Sequence, residues 1–245
     1  MKLQIAAGMA IYFQLASSFG IGAARAQERL PDLIKRVLPA VVTVVGFNGR
    51  GKVTRLGSGF FVDPQGHLIT NLHVIKGAVR VEVKLSKGEI YPITEMVAQD
   101  DRADLVKLAV PLPGGSPHYL PVSGARPEVG EHVVVLGSPL GLEHTVTEGL
   151  VSAVRTIKNR GEFLQISAPI SHGSSGGPVV NMQGQVIGIA TFQVKGQDIN
   201  FAVPGYRVVA LKDGPPRALP GQGTGGKSLP ARPGVKLPRP QMLVN

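Results

Sequence analysis

An all-β fold is what this sequence predicts, and three observations predict it. Short runs rich in Val, Ile, Phe and Thr recur from residue 41 to residue 191. Clusters of Gly, Pro, Asn and Asp separate them. Helical patterns of 10–15 residues do not alternate with them, as they would in βαβ units, so the pattern is that of an antiparallel sandwich or barrel.

Taken in order, residues 1–26 read as an export signal. Lys2 precedes an apolar stretch from Leu3 to about Ile21, interrupted by Gln4, Gln14 and Ser17-Ser18, and Ala24-Arg25-Ala26 offers a small-x-small cleavage site before Gln27. An uncleaved anchor is the competing reading, because the stretch approaches the lower length of a membrane span. Either one places the working protein outside the cytoplasm, in a bacterial periplasm. A short helix is expected at 33–37. Strands follow at 41–47, 59–62, 67–70 after the turn Asp63-Pro64-Gln65-Gly66, 80–85, 105–110, 131–137, 148–155 and 185–191, and a second short helix at 206–212. After Asp213 the composition shifts to Gly214-Pro215-Pro216 and GQGTGGKSLPARPGVKLPRP, which has little to bury. Residues 214–245 are therefore expected to form a disordered tail. The remainder, 27–213, is one domain of about 190 residues, large enough to be held by its core, and it must be, since the chain has no cysteine.

The formal charge of +10 is concentrated at the ends. Between residues 27 and 213 there are 19 basic and 16 acidic residues, a net of only +3. No basic face interleaved with aromatics appears, so nucleic acid is not an expected partner. The tail carries Arg217, Lys227, Arg232, Lys236 and Arg239 and no acidic residue. Its expected role is solvation, with docking onto an anionic membrane or cell-wall polymer as the alternative. The histidines at 67, 73, 118, 132, 144 and 172 lack the pairing of a zinc site, so neither metal nor cofactor is expected.

Chemistry concentrates in Gly173-Ser174-Ser175-Gly176-Gly177-Pro178, which reads as a reactive serine on a tight, glycine-flanked turn. Chain order tests this. An α/β-hydrolase needs a histidine after its serine, and none follows Ser175. The subtilisin order needs an aspartate before the histidine, and neither Asp32 nor Asp63 opens a parallel-sheet pattern. The order His, Asp, Ser remains, and His73, Asp104 and Ser175 supply it. Asp104 heads the apolar run 105–110, where a carboxylate needs a donor, whereas its rivals Asp100 and Asp101 lie in the polar run 99–102 and are expected to be solvated.

The segments GSGFFVDPQGHLITNLHVIKGA, AQDDRADLVKLAV, VVVLGSPLGLEHTVTEGLVSAV, APISHGSSGGPVVNMQGQVIGI and NFAVP resemble, in order and spacing, the protease domain of the HtrA (Deg) family of trypsin-like serine proteases, from about Pro39 to Pro204. The resemblance implies two six-stranded antiparallel β-barrels with the active site in the cleft between them. It also implies cleavage of unfolded or misfolded polypeptides, and homotrimers as an assembly seen among relatives. By analogy the N–H groups of Gly173 and Ser175 form the oxyanion hole, while Ile170, Ala190, Thr191 and Phe192, with Phe201 as a further candidate, line the primary pocket. Trypsin-type enzymes selecting Lys or Arg carry Asp six residues before the nucleophile; Pro169 stands there, so small or medium apolar residues are the expected preference. Many members have Asp where Ser167 stands and Asn where Ser174 stands, and most append PDZ domains for which this sequence leaves no room. A catalytically weak peptide-holding protein of the cell envelope is the alternative to a protease.

Overall fold

The computed structural model describes residues 28–219 other than 94, 114, 139–144, 172 and 195–198. The expected export signal and most of the expected tail lie outside the described residues.

Helix α1 (Leu30–Val37) carries Pro31 in its first turn, where the fixed φ and missing N–H are suited, and buries Leu33 and Val37. A single 3-10 turn leads into β1 (Val41–Phe47), which pairs antiparallel with β2 (Val53–Phe61) on one side and β4 (Arg80–Lys84) on the other. Strand β3 (His67–Asn71) ends in a one-turn helix α2 (Leu72–Ile75). Strands β5 (Ile90–Ile93), β6 (Glu95–Asp100) and β7 (Leu105–Ala109) complete the first half. The second half contains β8 (His132–Gly137), β9 (Thr145–Ile157), β10 (Gly161–Ile166), β11 (Pro178–Val180), β12 (Val186–Val194) and β13 (Ile199–Pro204), then helix α3 (Gly205–Val209) and β14 (Arg217–Ala218).

The second half is a closed antiparallel barrel in the order β10-β13-β12-β11-β8-β9. The first is a curled eight-stranded sheet, β14-β6-β7-β3-β2-β1-β4-β5, in place of the second closed six-stranded barrel that was expected. The trypsin-like two-barrel architecture holds, with the N-terminal barrel open.

Three apolar clusters explain why these runs are strands. Val42, Val44, Phe61, Leu68, Val83 and Leu108 fill the N-terminal barrel, and Val133, Val135, Leu164, Ile166 and Val179 fill the C-terminal one. The third lies between them: Val41, Phe60, Ile69 and Leu105 from the first half meet Leu136, Phe163, Ile189 and Phe201 from the second, with Leu33 and Val37 of α1. A strand such as β1 thus has a core on each face and is buried at every position, which is why its sequence is a continuous apolar run rather than an alternation. Burying each such Val, Leu or Phe is worth about 1.5–3 kcal/mol.

The expected tail boundary is corrected. Gly214 N–H donates to Val97 O at 3.0 Å, Arg217 and Ala218 pair with β6, and Leu219, 3% exposed, joins the N-terminal barrel core. One leucine followed by proline is too short an apolar signal to have marked this strand.

Candidate active site

Each of the three chain-order residues is delivered by a different device. Asn71 ends β3, and the α2 turn that follows carries His73. Asp104 closes the turn between β6 and β7 in the left-handed region, φ 61°. That conformation costs an L-residue about 1–2 kcal/mol, and two donors to its carbonyl hold it: Leu72 N–H at 3.0 Å and Asn71 Nδ2 at 2.9 Å. Asn71 is fully buried, and its Oδ1 has no partner among the described residues.

The Asp104 carboxylate is largely buried and faces three donors. Oδ1 accepts the backbone N–H of His73 at 2.8 Å. Oδ2 lies 2.5 Å from His73 Nδ1 and accepts from Thr191 Oγ1 at 3.3 Å. An imidazole bonded at Nδ1 to a carboxylate carries its proton there, which leaves Nε2 as the open basic nitrogen. The rivals are elsewhere. Asp101 is exposed and bonded to Gln99. Asp100 is not the solvated loop residue expected: its Oδ1 accepts the N–H groups of Arg102 and Ala103, and its Oδ2 pairs with Arg207 Nη2 at 2.8 Å, at 29% side-chain exposure.

Ser175 sits on the loop between β10 and β11. Its Oγ donates to the carbonyl of Thr191 at 3.0 Å. One residue of β12 thus touches both Asp104, through its hydroxyl, and Ser175, through its carbonyl. The loop is tied down around the serine: Gly176 N–H to Ala190 O at 2.8 Å, Gly177 N–H to Ser174 O at 2.9 Å, and Ser58 N–H to Ser175 O at 2.8 Å. Gly173 and Gly176 have φ of 100° and 87°, and a Cβ on Gly176 would stand 2.2 Å from Ser58 O. Only glycine fits. Among the described residues, neither Gly173 N–H nor Ser175 N–H has an acceptor.

The four pocket residues divide. Ile170 (8% exposed) and Ala190 (0%) belong to the C-terminal barrel's interior cluster. Thr191 is the polar bridge just described. Phe192 packs instead against the inter-barrel cluster, stacked on Phe201 at 4.9 Å and edge-on to Phe163 at 5.6 Å, with the Arg160 guanidinium 5.0 Å from its centroid. Phe201 belongs to that aromatic wall.

Sequence reasoning missed three polar residues around the site. Ser58, fully buried, donates from Oγ to Gly173 O at 2.6 Å. Asn200, 2% exposed, shares its face of β13 with Ala202 and accepts Ile170 N–H on Oδ1 at 3.3 Å. Asn71 is the third. Each lies inside a segment that carried the family resemblance, and a polar residue within an otherwise apolar strand was the available signal. Ser167 accepts Leu150 N–H on Oγ at 2.9 Å, and Ser174, nearly buried, lies 3.1 Å from Ser171 Oγ. Among the described residues no group of three His, Asp or Glu side chains is placed to hold a metal, and no helix is long and apolar enough to cross a membrane.

Residues 57–189 match the model of the trypsin-like peptidase domain. The chain is 38% identical over 196 residues to serine protease HTRA2, mitochondrial, of Bos taurus, covering 73% of this chain and 41% of that protein. It is 36% identical over 198 residues to serine endoprotease DegS of Escherichia coli K12, covering 74% and 55%. A crystal structure of the serine endoprotease from Yersinia pestis superposes with a TM-score of 0.63 at 32% identity, covering 73% of this chain and 63% of that one. The chain spans about half the length of these curated relatives.

Proposed function

The chain belongs to the trypsin-like peptidase family and is HtrA/Deg-like within it, and from that premise we propose that it is a serine endopeptidase acting on unfolded polypeptides in the bacterial periplasm. The observation that carries the reading is the Thr191 bridge, which joins the carboxylate paired with His73 to the hydroxyl of Ser175.

Residues 192–194 of β12 pair with β13 on one side, while β11 pairs only with β12 residues 186–189. An extended peptide adds to that open edge through main-chain hydrogen bonds, which suits substrates without folded structure. In catalysis the Ser175 hydroxyl leaves the Thr191 carbonyl, its partner here at 3.0 Å, and donates to His73 Nε2 instead. His73 takes its proton as the oxygen attacks the scissile carbonyl and returns it to the leaving amine. Asp104 holds the imidazole tautomer and stabilises its cation. The unpaired N–H groups of Gly173 and Ser175 receive the charge on the tetrahedral oxygen, each worth about 10²–10³ in rate. Water then hydrolyses the acyl-enzyme. Ile170, at the margin of the barrel interior and bonded to the Asn200 amide, forms the wall of a pocket for small or medium apolar side chains, with Ala190 packed behind it. No carboxylate stands at Pro169 to attract Lys or Arg.

The test is labelling with a fluorophosphonate probe alongside casein digestion. Wild type labels and digests; Ser175→Ala does neither. A wild type that binds casein but neither labels nor cleaves would instead establish the peptide-holding alternative.

A further inference from the structure

We propose that Ser58 is a positioning residue for the oxyanion donors, acting across the barrel interface through the carbonyl of Gly173. The proposal rests on the serine-peptidase reading above.

Ser58 is 0% exposed, in the half of β2 that packs toward the C-terminal barrel. Its Oγ accepts the backbone N–H of Ser138 at 2.8 Å. An amide can only donate, so the hydroxyl's single proton is left for Gly173 O, at 2.6 Å. The direction of that bond is therefore fixed by its neighbours. The backbone of the same residue holds the other side of the loop, since Ser58 N–H donates to Ser175 O at 2.8 Å. Thr70 Oγ1 in turn donates to Ser58 O at 2.7 Å, and Thr43 Oγ1 lies 2.6 Å from Ser138 Oγ. A chain of four buried hydroxyls (Thr43, Ser138, Ser58 and Thr70) thus runs along the interface and ends on the loop.

The geometry of a trans peptide shows what this grip does. In such a unit the N–H and C=O point in opposite directions, so fixing one aims the other. The carbonyl of Ser174 is fixed by Gly177 N–H at 2.9 Å, which aims the N–H of Ser175. The unit between Gly173 and Ser174 is fixed at both ends, its carbonyl by Ser58 Oγ and its N–H by Ser171 O at 3.0 Å. With that plane held, the direction of Gly173 N–H is set by the two backbone torsions of Gly173 itself, of which φ is 100°. Without the Ser58 hydroxyl the Gly173 carbonyl is left buried beside no donor. It gains by rotating toward one, and the Gly173 N–H turns away from the oxyanion position with it.

The experiment is steady-state hydrolysis of a fluorogenic peptide by full-length wild type, Ser58→Ala, Ser58→Cys and Thr43→Val, with inhibition by a peptidyl boronic acid, whose adduct is tetrahedral. Loss of a complete oxyanion donor costs about 10²–10³ in rate. A misaimed donor in Ser58→Ala is expected to lower kcat by about 10- to 100-fold, leave KM within about twofold, and weaken boronate inhibition by the same factor as kcat. Ser58→Cys, close in volume and a weaker donor, falls between and supplies the readout if the alanine variant does not fold. Thr43→Val breaks the far end of the same chain, so it loses thermal stability comparably while keeping kcat within about twofold. The proposal is overturned if Ser58→Ala raises KM at unchanged kcat, or if kcat falls equally in Ser58→Ala and Thr43→Val. It falls together with the peptidase reading if wild type neither labels nor hydrolyses; an active wild type matched by Ser58→Ala sinks this proposal alone.

Discussion

Gly176→Ala puts one methyl group into the tightest point of the active-site loop. The Cβ would lie 2.2 Å from Ser58 O, 2.3 Å from Thr70 Oγ1 and 3.1 Å from Asn71 N, and two of these three are backbone atoms that cannot swing aside. At φ 87° the residue also occupies the left-handed region, a cost of about 1–2 kcal/mol for alanine. Opening the contact to an ordinary separation pulls the loop from β2 and breaks Thr70 Oγ1 to Ser58 O and Ser58 N–H to Ser175 O. Each of those is worth about 1 kcal/mol. The total is about 3–4 kcal/mol, a large share of the 5–15 kcal/mol that holds a domain together. For a domain of this size that lowers Tm by about 10 °C. A displacement near 1 Å at Ser175 lowers the acylation rate by about 10²-fold. Urea unfolding gives the first number and the rate of fluorophosphonate labelling the second. An alanine variant within about 0.5 kcal/mol of wild type, labelling at the wild-type rate, would refute the argument that glycine is required for closeness.

Asp104→Asn keeps an acceptor for His73 N–H but turns an amide N–H toward His73 Nδ1, which forces the proton to Nε2. Peptide hydrolysis should show kcat lowered about 10⁴-fold with an unchanged melt, and a loss under tenfold would remove Asp104 from the mechanism. Arg207→Leu removes the ion pair to Asp100 and the bond from Nη1 to Arg160 O at 2.7 Å; urea unfolding should show a loss of about 2 kcal/mol, and a loss below about 0.5 would show the staple to be idle. Tyr206 donates to Glu162 Oε2 at 2.7 Å, and burial first, then that carboxylate, push its hydroxyl up to about 12. A folded-state value above the unfolded one means the stabilisation is complete below about pH 10 and disappears as pH rises through about 12. The stability difference between wild type and Tyr206→Phe should therefore shrink over that window, and curves that stay parallel would contradict it.

The barrel was legible where an apolar run between turn residues was long enough, as in β1, whose expected and observed limits coincide. It was not where strands are short or begin on a residue that argues against them. Pro178 opens the three-residue β11, and Ile90–Ile93 contains Pro92. The α2 turn spans four residues, less than the window in which a helical period shows, so no helix was expected around His73. Chain order and a family pattern pointed to His73, Asp104 and Ser175, because those signals survive without geometry. The role of Ser58 had no such signal. Its partners lie 80 and 115 residues away, and only closure of the interface brings a hydroxyl in β2 beneath Gly173.

The carbonyls of Gly173 and Ser175 are held by the opposite barrel rather than by their own. Any fluctuation that parts the two halves at this point has to release these bonds. The site is consequently a gauge of the seam. Parting the barrels frees the loop that carries Ser175 even where the strand pairs within each barrel stay formed.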